Sequence, residues 1–232
     1  ASRTQNSYDA LAALREKSSE HLPDMQVTVL DETGEEELVL TVLDEYKTLY
    51  NKNRSLIGWL KIDDTNIDYP VMQSPNPDYY LTHNFNQEHD NNGSIFLDPD
   101  CDIVHRNTNL ILYGHHMRSG KMFGSLDSYS SESFYEDHKY ITFDTIYEKG
   151  TYEVMYVFRS RIYNEDEVVF KYYQFIDVDS EQEFYSNMNE MADMSLYDTG
   201  VSAVYGDELL TLSTCDYREE NGRFVVVAKR IE

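Results

Sequence analysis

Leu209-Leu210-Thr211-Leu212-Ser213-Thr214-Cys215 is an apolar, β-branched run that ends on a cysteine. After a polar stretch closed by Asn221-Gly222 comes Arg223-Phe224-Val225-Val226-Val227-Ala228, a valine run opened by an arginine. Such runs, bounded by turn residues, predict two β-strands with a polar connection between them. The pairing restricts the fold strongly, because these strands need further strands and a covered face. It also sets a thiol at one strand end and a guanidinium at the start of the next, so that both can face one space.

The rest of the chain supplies the other elements. Apolar spacing at Tyr8, Leu11, Ala12 and Leu14 predicts an amphipathic helix over residues 7–20, with Ser7 as its N-cap. Residues 21–41 read as irregular and acidic, with one short extended piece at Met25 to Leu30. A second helix is expected through Leu43 to Tyr50, with Leu43, Tyr46, Leu49 and Tyr50 on one face. From residue 56 short strands take over: 56–62, 67–72, 94–97, 109–113, 140–143 and 151–163. Pro70 should sit at an edge or a bulge. After Asn109 the run 110–113 is apolar, as in a central strand. Residues 119–137 read as helical in two pieces, around Met122 to Leu126 and Ser131 to Tyr135. Phe184, Met188 and Met191 place an inserted helix at 181–194, and its stripe reads as core contact. The twenty Tyr and ten Phe agree with a sheet-rich fold.

Charge and cysteine usage exclude several classes. The net charge of -24 argues against nucleic-acid binding, which needs Lys and Arg for the phosphates. It reads instead as a solvated surface. No run of 18 or more apolar residues is present and no signal-peptide core, so nothing in this stretch reads as a membrane span. Cys101 and Cys215 make no disulfide framework; they form one bridge or two free thiols. No CxxC, HExxH or EF-hand loop occurs, and His83 and His89 stand six apart, so no metal and no cofactor is expected.

The strand Asn109 to Tyr113 runs into Gly114-His115-His116-Met117. One strand therefore ends on a histidine and another on a cysteine. A thiolate is the reactive form of cysteine, and an imidazolium beside it favours that form. Arg223 could stabilise the oxyanion that forms when a thiolate attacks an amide carbonyl. Spacing alone leaves blander readings open: Cys215 as a small buried hydrophobe, His115 as a structural histidine, Arg223 in a surface ion pair with Glu219 or Glu220. Asp216 follows the thiol and reads as a solvated carboxylate or as an orienter of His115 or Arg223.

The motifs say more. Thr211-Leu212-Ser213-Thr214-Cys215 resembles the TLxTC signature of sortases, cysteine transpeptidases of Gram-positive bacterial surfaces. Tyr113-Gly114-His115 resembles their histidine segment, and Arg223 ahead of Val225-Val226-Val227 their arginine. Gly58-Trp59-Leu60-Lys61-Ile62, Thr65 to Val71 and Gly93-Ser94-Ile95-Phe96 are similar to class B members, as are the N-terminal helices and the inserted one. The resemblance implies a closed eight-stranded β-barrel with added helices, residues 1–55 forming a helical extension and 56–232 the catalytic barrel. It implies Cys215 as nucleophile, His115 as acid and then base, and Arg223 as signal and oxyanion binder. Leu81, Tyr113, Ser213, Thr214 and Phe170, with Val169, would wall the signal pocket; His116 would be a structural neighbour. The partners implied are surface proteins with an NPQTN-like or LPxTG-like sorting signal, cleaved after Thr, and an amine of the peptidoglycan cross-bridge or of lipid II. The enzyme would sit on the outer face of the membrane through an N-terminal anchor outside this sequence.

Rival readings remain at this level. A papain-like hydrolase places its cysteine early and at a helix start, whereas Cys215 is late and on a strand. A pilin-polymerising sortase is one alternative. A non-enzymatic surface β-domain would explain the acidity and the tyrosines, and a Cys101–Cys215 disulfide would favour it.

Overall fold

In the computed structural model, residues 3–17 and 22–232 are described. The first helix, α1 (Arg3–Glu16), begins ahead of Ser7, so Ser7 lies inside the helix and is not its cap. Residues 18–20 of the expected helix fall outside the described residues. Tyr8 and Leu11 are buried. The Tyr8 hydroxyl donates to the Gly93 carbonyl at 3.0 Å, and its ring meets Tyr69 edge-on at 4.9 Å. Arg15 lies over the Trp59 ring and within 3.7 Å of Asp68.

Residues 21–41 are not irregular throughout. They hold a hairpin, β1 (Gln26–Leu30) and β2 (Glu37–Thr41). Neither of its faces is fully buried, so the apolar alternation that announces a strand is faint here. The second expected helix appears in two pieces, a 3-10 turn at Asp44–Tyr46 and α2 (Lys47–Lys52). Tyr46 and Leu49 are fully buried, and the Tyr46 hydroxyl donates to Asp144 at 2.6 Å.

The strands that follow are β3 (Leu56–Lys61), β4 (Asp68–Met72), β5 (Ile95–Leu97), β6 (Asn109–Tyr113), β7 (Tyr140–Thr145), β8 (Thr151–Arg161), β9 (Leu209–Asp216) and β10 (Gly222–Arg230). They close into an eight-stranded barrel in the order β10-β8-β7-β3-β4-β5-β6-β9. Two neighbours are parallel, β4 with β5 and β6 with β9; the rest are antiparallel. Pro70 is tolerated in β4 because β5 pairs only at Val71 and Met72. The segment around Met122 to Leu126 is not helical, because Met122 takes φ +56°. A 3-10 turn at Leu126–Ser130 and then α3 (Glu132–Asp137) follow it.

Successive strand residues point to opposite faces. Leu110, Leu112, Leu210, Leu212, Phe224 and Val226 share the barrel core. The alternate positions Leu209, Val225 and Val227 pack outward against Phe184, Met188 and Met191 of α4 (Glu181–Met194). Ser180 caps α4 by accepting from the Glu183 N–H at 3.1 Å, while the Glu183 carboxylate accepts from the Asp179 N–H. The outer face of β9 and β10 is thus covered at one end by α4 and left partly open at the other, where Cys215 and Arg223 stand.

Because α1 shares the core of the barrel, Leu11→Ala should cost about 2–5 kcal/mol, the usual range for such a cavity. A lower midpoint in urea, still in one transition, is the expected readout. An unchanged midpoint would show that α1 contributes no packing.

Candidate active site

Strand register sets Cys215 opposite Arg223 and runs β6 alongside β9 up to the turn that carries His115. Parallel pairing of β6 with β9 sets Tyr113 opposite Ser213. Two contacts carry the alignment past the ladder: the Gly114 N–H donates to the Ser213 carbonyl, and the Thr214 hydroxyl donates to the Gly114 carbonyl at 2.7 Å. His115 and Cys215 are the next residues on their strands. On the other side, antiparallel pairing sets Cys215 directly opposite Arg223. Side chains at directly opposed positions share a face. That face is the outer one, since Leu212 and Phe224 point into the core.

Gly114 is required by space. A Cβ there would come within 2.5 Å of the Ile95 side chain and 2.8 Å of Phe123. Only glycine lets β6 end so close to its neighbours and pass directly into His115. The Phe123 N–H donating to the His115 carbonyl fixes that residue's backbone.

The imidazole of His115 is partly buried, and its Nε2 lies 2.6 Å from the Leu81 carbonyl oxygen. A carbonyl can only accept, so Nε2 carries a hydrogen and Nδ1 is the nitrogen left to exchange protons. Arg223 donates from Nη1 to the Gly222 carbonyl at 2.8 Å. Among the described residues no carboxylate pairs with it, so the pairing with Glu219 or Glu220 is not formed. Asp216 is not a solvated carboxylate: it lies 3.1 Å from Nε of Arg159, which also sits over Phe224. It is thereby turned away from both roles considered for it.

The expected pocket residues divide. Tyr113 is partly exposed; its hydroxyl donates to Asp98 at 2.6 Å and its ring packs on Phe96. Burial and the Asp98 carboxylate push its phenol well above the usual range. Leu81 meets His115 through its carbonyl. Phe170 packs beside α4, with Val168 and Val169 exposed before it. Ser213 is buried and shares a hydrogen bond of 2.8 Å with the Tyr172 hydroxyl. Thr214 is buried on the inner side and serves the β6–β9 clamp, not the wall of the groove.

Tyr172 escapes sequence reasoning. Burial pushes its phenol up to about 12, while the Ser213 hydroxyl and the nearby positive charge of Arg223 pull the other way. It thus stands within electrostatic reach of Arg223 and Cys215. Nothing in Lys171-Tyr172-Tyr173-Gln174 marks this tyrosine among twenty.

A second space opens beside the thiol. A cleft of about 260 Å³ is lined by Cys215, His116, Asp127, Tyr217 and Phe224. Roomier clefts, of about 590 Å³ near Tyr50 and Tyr147 and about 440 Å³ near Tyr8 and His89, include none of His115, Cys215 or Arg223. Strand-end geometry, not size, singles out the site. Both cysteines are free, and no metal-binding cluster occurs among the described residues.

Comparison with known proteins follows the same lines. The sortase domain family matches residues 60–231. The chain is 34% identical to sortase B of Staphylococcus aureus over 193 residues, 82% of this chain and 76% of that protein. A crystal structure of Bacillus anthracis sortase B superposes with TM-score 0.78 at 32% identity, covering 99% of this chain and 96% of that one. A Staphylococcus aureus sortase B–substrate complex superposes with TM-score 0.75 at 29% identity, covering 99% and 94%.

Cys215 is half-buried at the groove, whereas Cys101 is 4% exposed, with burial pushing its thiol up to about 12. Iodoacetamide on the native protein should therefore label Cys215 and spare Cys101 until denaturant is added. Peptide mass mapping reads the order, and early labelling of Cys101 would contradict its burial.

Proposed function

The chain belongs to the sortase family, in its class B, and from that premise we propose that Cys215, His115 and Arg223 carry its transpeptidation. The observation that supports this assignment most directly is the register: Cys215 stands opposite Arg223, and β6, which leads into His115, pairs alongside β9 as far as Tyr113 and Ser213. It is a cysteine transpeptidase, and its first step is attack of the Cys215 sulfur on a peptide carbonyl. The carbonyl oxygen gains charge, and a guanidinium with no competing carboxylate partner is suited to receive it. His115 protonates the departing amine through Nδ1, while the Leu81 carbonyl holds Nε2. The acyl group is left as a thioester on Cys215. In the second half an incoming amine attacks the thioester, and His115 takes a proton back.

Sortases act on sorting signals and amine acceptors at the cell envelope. For this chain we take the substrate to be a five-residue signal of NPQTN or LPxTG type, cleaved after Thr. Tyr113, Leu81 and Phe170 would wall the groove that it enters, near the hydrogen-bonded pair of Tyr172 and Ser213. The acceptor would be an amine of the peptidoglycan cross-bridge or of lipid II, met on the outer face of the membrane. Among the described residues no helix is long and apolar enough to cross a membrane. The extension of residues 1–55 would serve as a brace for the barrel, through the contacts of Tyr8, Leu11 and Tyr46.

The assay mixes the protein with a panel of both signal types and an oligoglycine amine, and follows intact mass. An acyl adduct on Cys215 is expected with at least one peptide, and no adduct in Cys215→Ala. His115→Ala should lower turnover by about 10²-fold or more. Transpeptidation at parental rate by Cys215→Ala would refute the assignment.

A further inference from the structure

The cleft beside Cys215 has chemistry of its own, and reading it rests on the transpeptidase assignment. The sulfur lines the cleft with His116, Asp127 and Tyr217, while Arg223 stands opposite it on β10. After the first amine has left, the acceptor must still reach the acyl carbon held on this sulfur. A primary amine is an ammonium at neutral pH. It has no lone pair until it loses a proton, and it must lose a second to become an amide nitrogen. His115 accounts for one of these, because it surrendered its own proton to the first leaving group. The other must pass to a second acceptor, either water or a side chain at the cleft.

His116 has the features of one. Its Nε2 lies 3.1 Å from Oδ2 of Asp127. The carboxylate accepts, so Nε2 bears the hydrogen and Nδ1 is bare. That Nδ1 is buried and has no hydrogen-bond partner. Buried polar atoms without partners are uncommon in folded proteins and call for a reason. The ring is covered edge-on by Tyr217 at 5.4 Å, whose hydroxyl donates to the His116 carbonyl. Tyr217 is 70% exposed, so this cover lies at the protein surface. Of the carboxylates here, Asp216 is engaged by Arg159, while Asp127 is half-exposed and faces the ring. Arg218 stands exposed at the rim and offers the opposite charge to an acceptor that ends in a carboxylate.

We infer that this cleft admits the acceptor amine as an ammonium, and that His116, held by Asp127, takes its first proton. The ammonium gives one proton to Nδ1 of His116 and becomes a neutral amine. Its lone pair attacks the thioester carbonyl and a C–N bond forms. The C–S bond breaks, and Cys215 leaves as a thiolate. The second surplus proton on nitrogen leaves through His115, and the last stays as the amide N–H. Asp127 is a positioning residue: it fixes the tautomer of His116 and stabilises the imidazolium that forms.

The test uses acyl-enzyme preformed on Cys215 in the parent, Asp127→Asn and His116→Gln. Each is chased at about pH 6.5 with triglycine, mainly an ammonium below the α-amino reference of about 7.7–8.0, or with hydroxylamine, largely uncharged there. The ratio of triglycine to hydroxylamine transfer should fall at least about tenfold in both variants, a cautious floor for lost acid–base help. The ratio is read only on acyl-enzyme that has formed, so misfolded protein does not enter it. Equal loss with both nucleophiles, or an unchanged ratio, would overturn the inference. A parent chain that forms no adduct with any peptide would instead overturn the transpeptidase assignment beneath it.

Discussion

The hydroxyl of Thr214 donating to the carbonyl of Gly114 joins residues one hundred positions apart, at the point where two strand ladders run out. Everything chemical in the molecule depends on that junction. Parallel neighbours must come from distant parts of a chain, since no short turn can join them. Here the distance is used. β6 brings an imidazole, β9 a thiol, and β10 returns antiparallel with a guanidinium opposite the thiol. Closure of the barrel makes the three strands immediate neighbours.

Much of this was legible in the residues, and the reasons are physical. β9 and β10 are buried on both faces over most of their length, so their apolar runs are nearly continuous. α4 carries a clear stripe and a cap, and its observed limits are the expected ones. The hairpin β1–β2 was half missed because neither face is sealed from water. The helix expected near Met122 fails on a backbone conformation that side-chain periodicity does not encode. At the site, single-residue motifs flag His115, Cys215 and Arg223. Tyr172, the Leu81 carbonyl and the inward turn of Thr214 are products of tertiary structure. A backbone oxygen has no letter of its own in a sequence.

Charge is distributed with similar economy. The chain has 43 acidic residues against 19 lysines and arginines. In such a chain a cation is readily captured, and Arg15, Lys47, Arg106, Arg159, Arg161 and Arg230 all lie near carboxylates. Arg159 also occupies Asp216, the acidic group next to the thiol. Arg223 is thereby spared a neighbour that would neutralise it before an oxyanion arrives. The overall acidity suits a surface that repels its own copies and attracts cationic groups.

The junction of β6 with β9 also bears on how the chain acquires its activity. Contacts between residues far apart in sequence are slow to form, because closing a long loop costs entropy before the contact gives anything back. The final strands emerge last during synthesis, and β9 is the strand that seals the barrel. A nascent or partly folded chain therefore holds its imidazole apart from the thiol and guanidinium, which share one hairpin. The three groups share one site only once the last ladder has formed, so competence to cut arrives together with the finished fold.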